Sequence, residues 1–270
     1  MASSMAPATA AQAAALLWQH RQAGSKLTAL PAGLRPADAD AGHAIQAQLP
    51  VVAGDAVAGW KIAATSSAGQ VHIGVGGPLA GRLLAATVAG DGASWSLTGN
   101  GMRVAEPEFV FRFGADLPPR GEPYTVDDVL TAVAALHTGI EVPDSRFTDF
   151  VTAGEAQLLA DDACAHQFVL GPATAADWRA LDLSRHAVQA TVDQAGGQQL
   201  LREGSGAAVL GDPRLALAWL VNDLRQRGLG LAAGQFVTTG TCMPPLAIAP
   251  GDRVWADFGL LGRVSAAFTA

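Results

Sequence analysis

The stretch from Arg103 to Phe111 reads RVAEPEFVF and places Glu106 and Glu108 inside an apolar run. Side chains at positions i and i+2 of a β-strand project from the same face, so both carboxylates are expected to point the same way. Buried neighbouring carboxylates need a cation or a shared proton, because their charges repel in an apolar setting. The alternative is an acidic pair on the solvent face of an edge strand, which suits Pro107 because proline cannot donate a ladder hydrogen bond.

A third carboxylate, Glu141, lies in a second short apolar run, residues 138–142. Three carboxylates offer hard oxygen ligands, which favour Mg2+, Mn2+ or Ca2+ over zinc. The sequence contains no Cys/His cluster at zinc spacing. The pattern therefore predicts a cation site, while the alternative for the third glutamate is a salt bridge to Arg146 or Arg103.

Five motifs in a fixed order carry a family resemblance. They are GWKIA at 59–63, GV at 74–75, EPE at 106–108, IEVPDSR at 140–146 and VTTGT at 237–241. Each motif is weak alone, but together they resemble the 2-keto-4-pentenoate hydratase and 4-oxalocrotonate decarboxylase branch of the fumarylacetoacetate hydrolase superfamily. The resemblance covers the chain beyond its first few residues. It implies an α+β fold, a fumarylacetoacetase C-terminal-like mixed β-roll or barrel with a helical N-terminal part.

The resemblance also assigns site residues. It implies that Glu106, Glu108 and Glu141 bind one Mg2+ or Mn2+ and that Lys61 is catalytic. Because Lys61 lies in an apolar run, desolvation beside a cation is expected to disfavour its charged form and ease proton exchange; the alternative is a surface lysine. The expected substrate-binding residues are Val75, Leu79, Cys164, Thr239 and Thr241. For the two threonines the alternative is a strand-end hydroxyl that satisfies the backbone.

Three residues depart from the family pattern. Leu79 stands in a segment where many such hydratases carry an acid, and a leucine cannot orient water or substrate as an acid does. Asp162 and Cys164 stand where an amide and a hydroxyl side chain are expected. These departures bear on the substrate and on hydration more than on cation binding.

The implied function is a metal-dependent hydratase that converts 2-hydroxy-2,4-dienoates of the 2-oxopent-4-enoate type into 4-hydroxy-2-oxo acids in aromatic-compound catabolism. Two alternatives use the same site: decarboxylation of a 4-oxalocrotonate-type 2-oxo acid, and hydrolysis of a C–C bond in a diketone. An alternative of another class is a non-catalytic partner subunit of a hydratase–decarboxylase complex. The resemblance further implies a homo-oligomer and a small-molecule oxo acid or hydroxy acid substrate.

Composition and charge disfavour several other classes of protein. The net charge of −7 and the absence of a basic block in the sequence disfavour nucleic-acid binding. No apolar run reaches the roughly 18 residues of a membrane helix, and no basic start precedes an apolar core, so a cytoplasmic protein without a membrane span is expected. Two distant cysteines support neither a disulfide framework nor a redox motif.

The element pattern predicts a helical N-terminal part over residues 1–54 and a strand-rich part over residues 55–270, and the resemblance implies that the latter is the fumarylacetoacetate hydrolase-like catalytic domain. Helices are predicted at 9–23, 36–49, 127–136 and 213–227. Strands are predicted at 57–63, 103–113, 138–142, 167–170, 186–194, 199–202, 236–239, 253–258 and 263–268, with a tight hairpin turn at Gly196-Gly197. Strands and helices do not alternate, so an α+β roll or barrel is favoured over a doubly wound nucleotide-binding fold.

Overall fold

Two mixed β-sheets form the centre of the computed structural model, which describes residues 5–270. The strands are β1 Val57–Ala63, β2 Leu79–Leu84, β3 Val88–Gly90, β4 Ala93–Ser96, β5 Val104–Phe113, β6 Val133–Val142, β7 Gln167–Ala173, β8 Ala187–Asp193, β9 Gln199–Ser205, β10 Phe236–Thr241, β11 Leu246–Ala247, β12 Arg253–Asp257 and β13 Arg263–Thr269. The helices are α1 Pro7–Ala23, α2 Ala39–Gln46, α3 Leu49–Ala53, α4 Ser67–Ile73, α5 Val126–Ala132, α6 Glu155–Ala160 and α7 Pro213–Gln226.

The larger sheet places the EPE strand in its interior. Its order is β2-β1-β10-β5-β6-β7-β3, with β11 paired alongside β5. Only the β1–β10 and β3–β7 pairs of the described strands in this sheet are parallel. The edge-strand alternative for Glu106 and Glu108 is therefore wrong, because β5 is paired on both sides.

Pro107 is tolerated in this interior strand for a local reason. Its carbonyl accepts a hydrogen bond from Cys242 N at 3.0 Å, so the imide nitrogen of Pro107 also faces the β10 side. The register of β10 against β5 shifts there, between Thr238 and Thr241. A bulge of this kind interrupts the regular hydrogen-bond ladder. Pro107 has no N–H to donate, but no carbonyl of a regular ladder waits for one at this point.

The smaller sheet has the order β4-β13-β12-β8-β9 and covers the first sheet through β13, which packs against β6 and β7. Aromatic side chains fill the space between the sheets; the rings of Phe109 and Phe258, for example, meet edge to face at 5.1 Å. The predicted α+β architecture with a mixed, curled sheet is thus confirmed. Among residues 5–270, no helix combines the length and apolar character needed to cross a membrane.

The N-terminal helices pack through small side chains. Helix α1 begins at Pro7 and ends at Ala23, and the next residue, Gly24, caps it with a φ of 62° in the left-handed region. Its buried face is formed by Ala10, Ala13, Ala14 and Leu17. Together with Phe147 and Ala160 that face forms a separate apolar cluster. The helical N-terminal part is present, while the domain boundary at residues 54 and 55 stays a prediction.

Several element boundaries differ from the sequence prediction. The predicted helix at 127–136 ends at Ala132, and the chain continues as β6, which is five residues longer at its start than predicted. Thr125 and Asp128 form a capping box that fixes where α5 begins, but long-range pairing of Val133 with Phe113 decides where it ends. The second N-terminal helix is capped by Asp38 rather than begun at Pro36. The hairpin turn between β8 and β9 is confirmed, with Gly197 at φ +81°.

A buried ion pair holds the end of β6 to the turn after α6. Arg146 Nε contacts Asp161 Oδ1, and Arg146 Nη1 donates to Ala165 O at 3.0 Å. The other carboxylate oxygen of Asp161 accepts from Ser145 Oγ at 2.7 Å and from Arg146 N at 3.0 Å. Both charges are almost fully buried, so each depends on the other for compensation.

Replacing this arginine should destabilise the fold strongly. Arg146→Ala leaves the Asp161 carboxylate buried without a partner, and we expect a loss of about 3–5 kcal/mol in the free energy of unfolding. The matched control is Arg263→Ala, which removes an exposed ion pair with Asp257 and should cost under about 1 kcal/mol. Urea unfolding of both variants measures the difference, and equal losses would contradict the proposed role of burial.

Candidate metal centre

Three glutamates converge where β5 and β6 pair. Glu106 and Glu141 are direct partners in the antiparallel register, and Glu108 lies two residues further along the same face of β5. One carboxylate oxygen from each lies within 4.8 Å of the others. Glu108 and Glu141 are fully buried, whereas Glu106 keeps part of its surface exposed. The three acids that the sequence predicts to share a site are therefore together.

The donors around this cluster leave several carboxylate oxygens unpaired. Glu108 Oε2 accepts from Gly240 N at 2.8 Å and from the Thr238 hydroxyl. Within the described part of the chain, Glu108 Oε1 and Glu141 Oε2 have no hydrogen-bond partner. Buried carboxylate oxygens without partners are costly, and a divalent cation that takes oxygen ligands would satisfy them. The donor set thus fits a hard cation.

Proton affinity in the cluster reflects the same crowding. Burial, assisted by the charge of Glu141, raises the pKa of Glu106 to about 7. Burial also raises the pKa of Glu108 and of Glu141, in both against the influence of Lys61. Without a cation the cluster therefore retains protons near neutral pH, and cation binding has to release them.

Lys61 is the cation that the protein itself supplies. Its Nζ lies 3.2 Å from Glu141 Oε1, an ion pair that is poorly aligned as a hydrogen bond, and it donates to Ala163 O at 2.9 Å. The residue is 2% exposed, so the surface-lysine alternative is wrong. The predicted alternative partners of Glu141 are also wrong: Arg146 binds Asp161, and Arg103 Nε donates to a backbone carbonyl.

Neighbouring carboxylates control the protonation of this lysine in the absence of an ion. Burial lowers the pKa of Lys61, but the nearby carboxylates of Glu141 and Glu106 outweigh burial, and the pKa is raised. Without an ion the charged form of Lys61 is therefore favoured, while the expectation for Lys61 beside a bound cation stays a prediction. Three acids and one ammonium leave an excess of negative charge that only protons or a bound cation can balance.

A left-handed turn aims a carbonyl at Lys61. Asp162, Ala163 and Cys164 have φ values of 56°, 51° and 62°, which non-glycine residues rarely adopt in succession. Asp162 Oδ1 anchors the turn by accepting from Arg82 N at 2.7 Å. Gly81 leaves room for it, since a Cβ there would lie 2.4 Å from Asp162 O and 3.0 Å from Lys61 Cδ.

A cavity of about 770 Å³ opens beside the cluster, with Lys61 and Glu106 in its wall. Three of the predicted substrate-binding residues, Leu79, Cys164 and Thr241, line this cavity.

The other two predicted residues lie outside its lining. Val75 packs behind Leu79 in an apolar cluster, and the Thr239 hydroxyl donates to Phe109 O at 3.0 Å. The Thr241 hydroxyl is also used locally, since it donates to Met243 O at 2.8 Å. The binding role of all five stays a prediction.

Several residues of the site act in ways that the sequence does not reveal, although Thr238 lies in the VTTGT motif. Ala163 acts through its carbonyl, Gly81 through its lack of a side chain, and Thr238 through a register shift in β10. Gly240 is the exception, because a glycine inside an otherwise β-branched strand indicates a bulge. Its φ of 98° turns its N–H towards Glu108.

The mixed fold and the glutamate cluster define the class of protein, an enzyme of the fumarylacetoacetate hydrolase superfamily. The 4-oxalocrotonate decarboxylase from Pseudomonas putida G7, in a complex with magnesium and adipate, superposes with a TM-score of 0.85 and 25% identity over 98% of this chain and 99% of that one. A fumarylpyruvate hydrolase from Pseudomonas aeruginosa, in complex with Mn2+ and pyruvate, shares the fold at a TM-score of 0.55 and 15% identity, over 78% and 88% of the two chains.

Relatives found by sequence similarity identify the family to which the chain belongs within this superfamily. The 2-keto-4-pentenoate hydratase of Burkholderia vietnamiensis is 35% identical over 86% of this chain and 87% of its own. The 2-keto-4-pentenoate hydratase 1 of Dechloromonas aromatica is 32% identical over 95% of both chains, and the 2-hydroxyhexa-2,4-dienoate hydratase of Comamonas testosteroni is 33% identical over 82% of both. No protein-family model matches the chain. The chain belongs to the 2-keto-4-pentenoate hydratase family, which confirms the resemblance seen in its motifs.

Removing one ligand should abolish cation binding and keep the fold. Glu106→Gln deletes a charge from the cluster, and we expect Mg2+ and Mn2+ affinity to fall by more than about a hundredfold, since losing even a group that supports a ligand costs roughly 10–100-fold. Titration calorimetry measures the affinity and circular dichroism the fold. The control is Glu203→Gln, an acid of the same cavity outside the cluster. If Glu106→Gln keeps full affinity, the ligand assignment is wrong.

Asp162 should give stability an unusual pH dependence. Burial raises the pKa of its carboxyl to about 7, although the Arg82 backbone N–H opposes this. A raised pKa in the folded state means that stability is present below the unfolded pKa and is lost as pH rises through 7. Asp162→Asn should therefore gain about 2–3 kcal/mol in unfolding free energy relative to the unsubstituted protein between pH 5 and pH 8, at 1.36 kcal/mol per pKa unit. Urea unfolding at both pH values measures this, and a pH-independent difference would refute it.

Proposed function

We propose that this protein is a cation-dependent hydratase that adds water to 2-hydroxy-2,4-dienoates and releases 4-hydroxy-2-oxo acids. The observation that carries the proposal is the placement of one buried ammonium, Lys61, against a cluster of three glutamates, of which Glu106 lines the cavity together with Lys61. Relatives named 2-keto-4-pentenoate hydratase and 2-hydroxyhexa-2,4-dienoate hydratase support the substrate class.

The glutamates and the lysine divide the chemistry. Glu106, Glu108 and Glu141 would hold Mg2+ or Mn2+, which supplies a Lewis acid for the negative charge that develops on the oxygen of the substrate. Lys61 is the buried ammonium of the cavity wall, and its role is to exchange protons with the substrate. Ketonisation moves the enol proton to C5, and water then adds its oxygen at C4 and a proton at C3. All atoms of the substrate and of one water are retained in the product.

One observation favours a second candidate, decarboxylation of a 2-oxo acid. Leu79 lines the cavity in a segment where the family pattern leads us to expect an acid, so a group for orienting water is missing from that segment. Loss of carbon dioxide needs the same stabilised negative charge without an added water. The 4-oxalocrotonate decarboxylase fold, with its TM-score of 0.85, is consistent with this reading. A non-catalytic partner subunit is disfavoured, because the chain keeps the three glutamates and Lys61.

Three further points belong to the proposal. The resident cation is Mg2+ or Mn2+, in line with relatives solved with magnesium or Mn2+. The protein works as a cytoplasmic homo-oligomer. A complex with a homologous decarboxylase or hydratase is the remaining partner proposal.

The deciding experiment restores metal to chelator-stripped protein and follows the ultraviolet absorbance of 2-hydroxypenta-2,4-dienoate. We expect consumption only with Mg2+ or Mn2+, and a 4-hydroxy-2-oxo acid as the product by mass spectrometry. Lys61→Met is the informative variant: it should still bind the cation, because the three glutamates remain, yet lose most turnover. Release of carbon dioxide from 2-oxo acids in place of hydration would overturn the proposal in favour of decarboxylation.

A further inference from the structure

Most of the cavity lining beyond Lys61 and Glu106, the groups proposed to react, is apolar. On the basis of the proposed function, we infer that the substrate carries an uncharged apolar substituent at C5 of the dienoate, larger than a methyl group and without a second carboxylate. The inference deepens the proposed function by naming the substrate class. It rests on the walls of the cavity, on their charges and on the cavity volume.

One wall is a continuous apolar cluster that begins beside the reacting groups. Cys164 follows Ala163, whose carbonyl contacts Lys61, and packs with Leu79 and Leu158. Partly buried side chains, among them Met102 and Phe150, extend this cluster. None of these side chains is charged. The wall therefore leads from the ammonium outward along an apolar surface.

The outer part of this wall ends at an aromatic contact. The rings of Phe150 and His72 meet edge to face with centroids 6.0 Å apart, and His72 is exposed. Both residues line the cavity. An apolar chain that starts at the glutamate cluster can thus stay in contact with apolar side chains until it reaches solvent. Burial of each further methylene along such a wall favours binding by about fourfold.

The segment after β10 adds no cationic partner for a second anion. It contributes Met243, Pro244 and Pro245 to the lining, and β9 contributes the acid Glu203. Among the described residues that line the cavity there is no arginine, and Lys61 is already engaged by Glu141. Away from the imidazole of His72 at the outer end, a second carboxylate in this space would lose its hydration without gaining a cationic partner. An uncharged substituent meets no such cost.

The volume of the cavity agrees with a larger substrate. At about 770 Å³ it lies within the roughly 300–1,000 Å³ that is typical of sites for drug-sized ligands. A five-carbon acid held at the glutamate cluster would leave most of this apolar space to water. Leu79 strengthens the same conclusion, since it presents an aliphatic side chain to the cavity.

The test compares three substrates that differ only at C5. These are 2-hydroxypenta-2,4-dienoate with hydrogen, 2-hydroxynona-2,4-dienoate with a butyl group, and 2-hydroxymuconate with a carboxylate. With Mg2+ present we expect kcat/KM for the butyl compound to exceed that for the unsubstituted one at least tenfold, and 2-hydroxymuconate to be the poorest. Equal or better use of the unsubstituted compound or of 2-hydroxymuconate would overturn the inference while leaving hydration established.

A binding measurement separates this inference from the proposed function. If none of the three dienoates is consumed, the hydratase proposal fails, and the affinity of Mg2+-loaded protein for 2-oxononanoate and 2-oxopentanoate decides the inference. At least tenfold tighter binding of the nine-carbon acid supports it, and equal binding refutes it. Calorimetry gives both constants without turnover.

Phe150→Ala locates the preference. Loss of this ring should reduce the butyl-to-hydrogen ratio of kcat/KM at least threefold, or the ratio of the two binding constants when there is no turnover. The control is Val71→Ala on α4, because Val71 is 83% exposed and does not line the cavity. An unchanged ratio in folded Phe150→Ala, checked by circular dichroism, would refute the assignment of this wall.

Discussion

The rest of the structure depends on the burial of three carboxylates beside a single ammonium. Two charges of like sign that face each other across paired strands destabilise a sheet, and here Glu106 and Glu141 do so in the interior of the larger sheet. Lys61 compensates one charge, and the donors of Thr238 and Gly240 compensate part of another. The remaining excess of negative charge, consistent with the raised pKa of Glu106, is what a bound cation would neutralise.

Irregular backbone at two places supplies polar groups to the buried glutamates and to Lys61. The register shift in β10 brings a hydroxyl and a backbone N–H to Glu108, where a regular ladder would have used the N–H for pairing. The turn at residues 162–164 turns a carbonyl towards Lys61 at the cost of three left-handed residues. Such strain persists only where the surroundings fix it, and the buried pair of Arg146 and Asp161 lies immediately before that turn. The stable part of the fold thus supports the strained part of the site.

The sequence correctly predicted features that depend on the side-chain period within one strand. It missed features that depend on contacts between segments far apart in the chain. Alternation along one strand correctly places Glu106 and Glu108 on one face, because the side-chain period of a strand is fixed. The pairing of Glu141 with Glu106 is a matter of register between strands, so it was reached through three acids in apolar runs and the family resemblance. The boundary at Ala132 could not be predicted, since Val133 leaves the helix to pair with Phe113. Helical propensity does not report such long-range pairing.

The cavity could not be predicted from the sequence for a related reason. Its shape also keeps the reacting groups apart from the side chains that would contact the rest of the substrate. Its walls come from α4, the loop around Phe150 and the segment after β10, which lie far apart in the chain. Lys61 and Glu106 lie at one end of the cavity, while apolar side chains such as Leu158 continue outward. A shared set of glutamates can therefore act on different oxo acids as the walls change. Leu79, which departs from the family pattern, is then part of the apolar wall. It affects which substrate is bound more than whether a cation is bound.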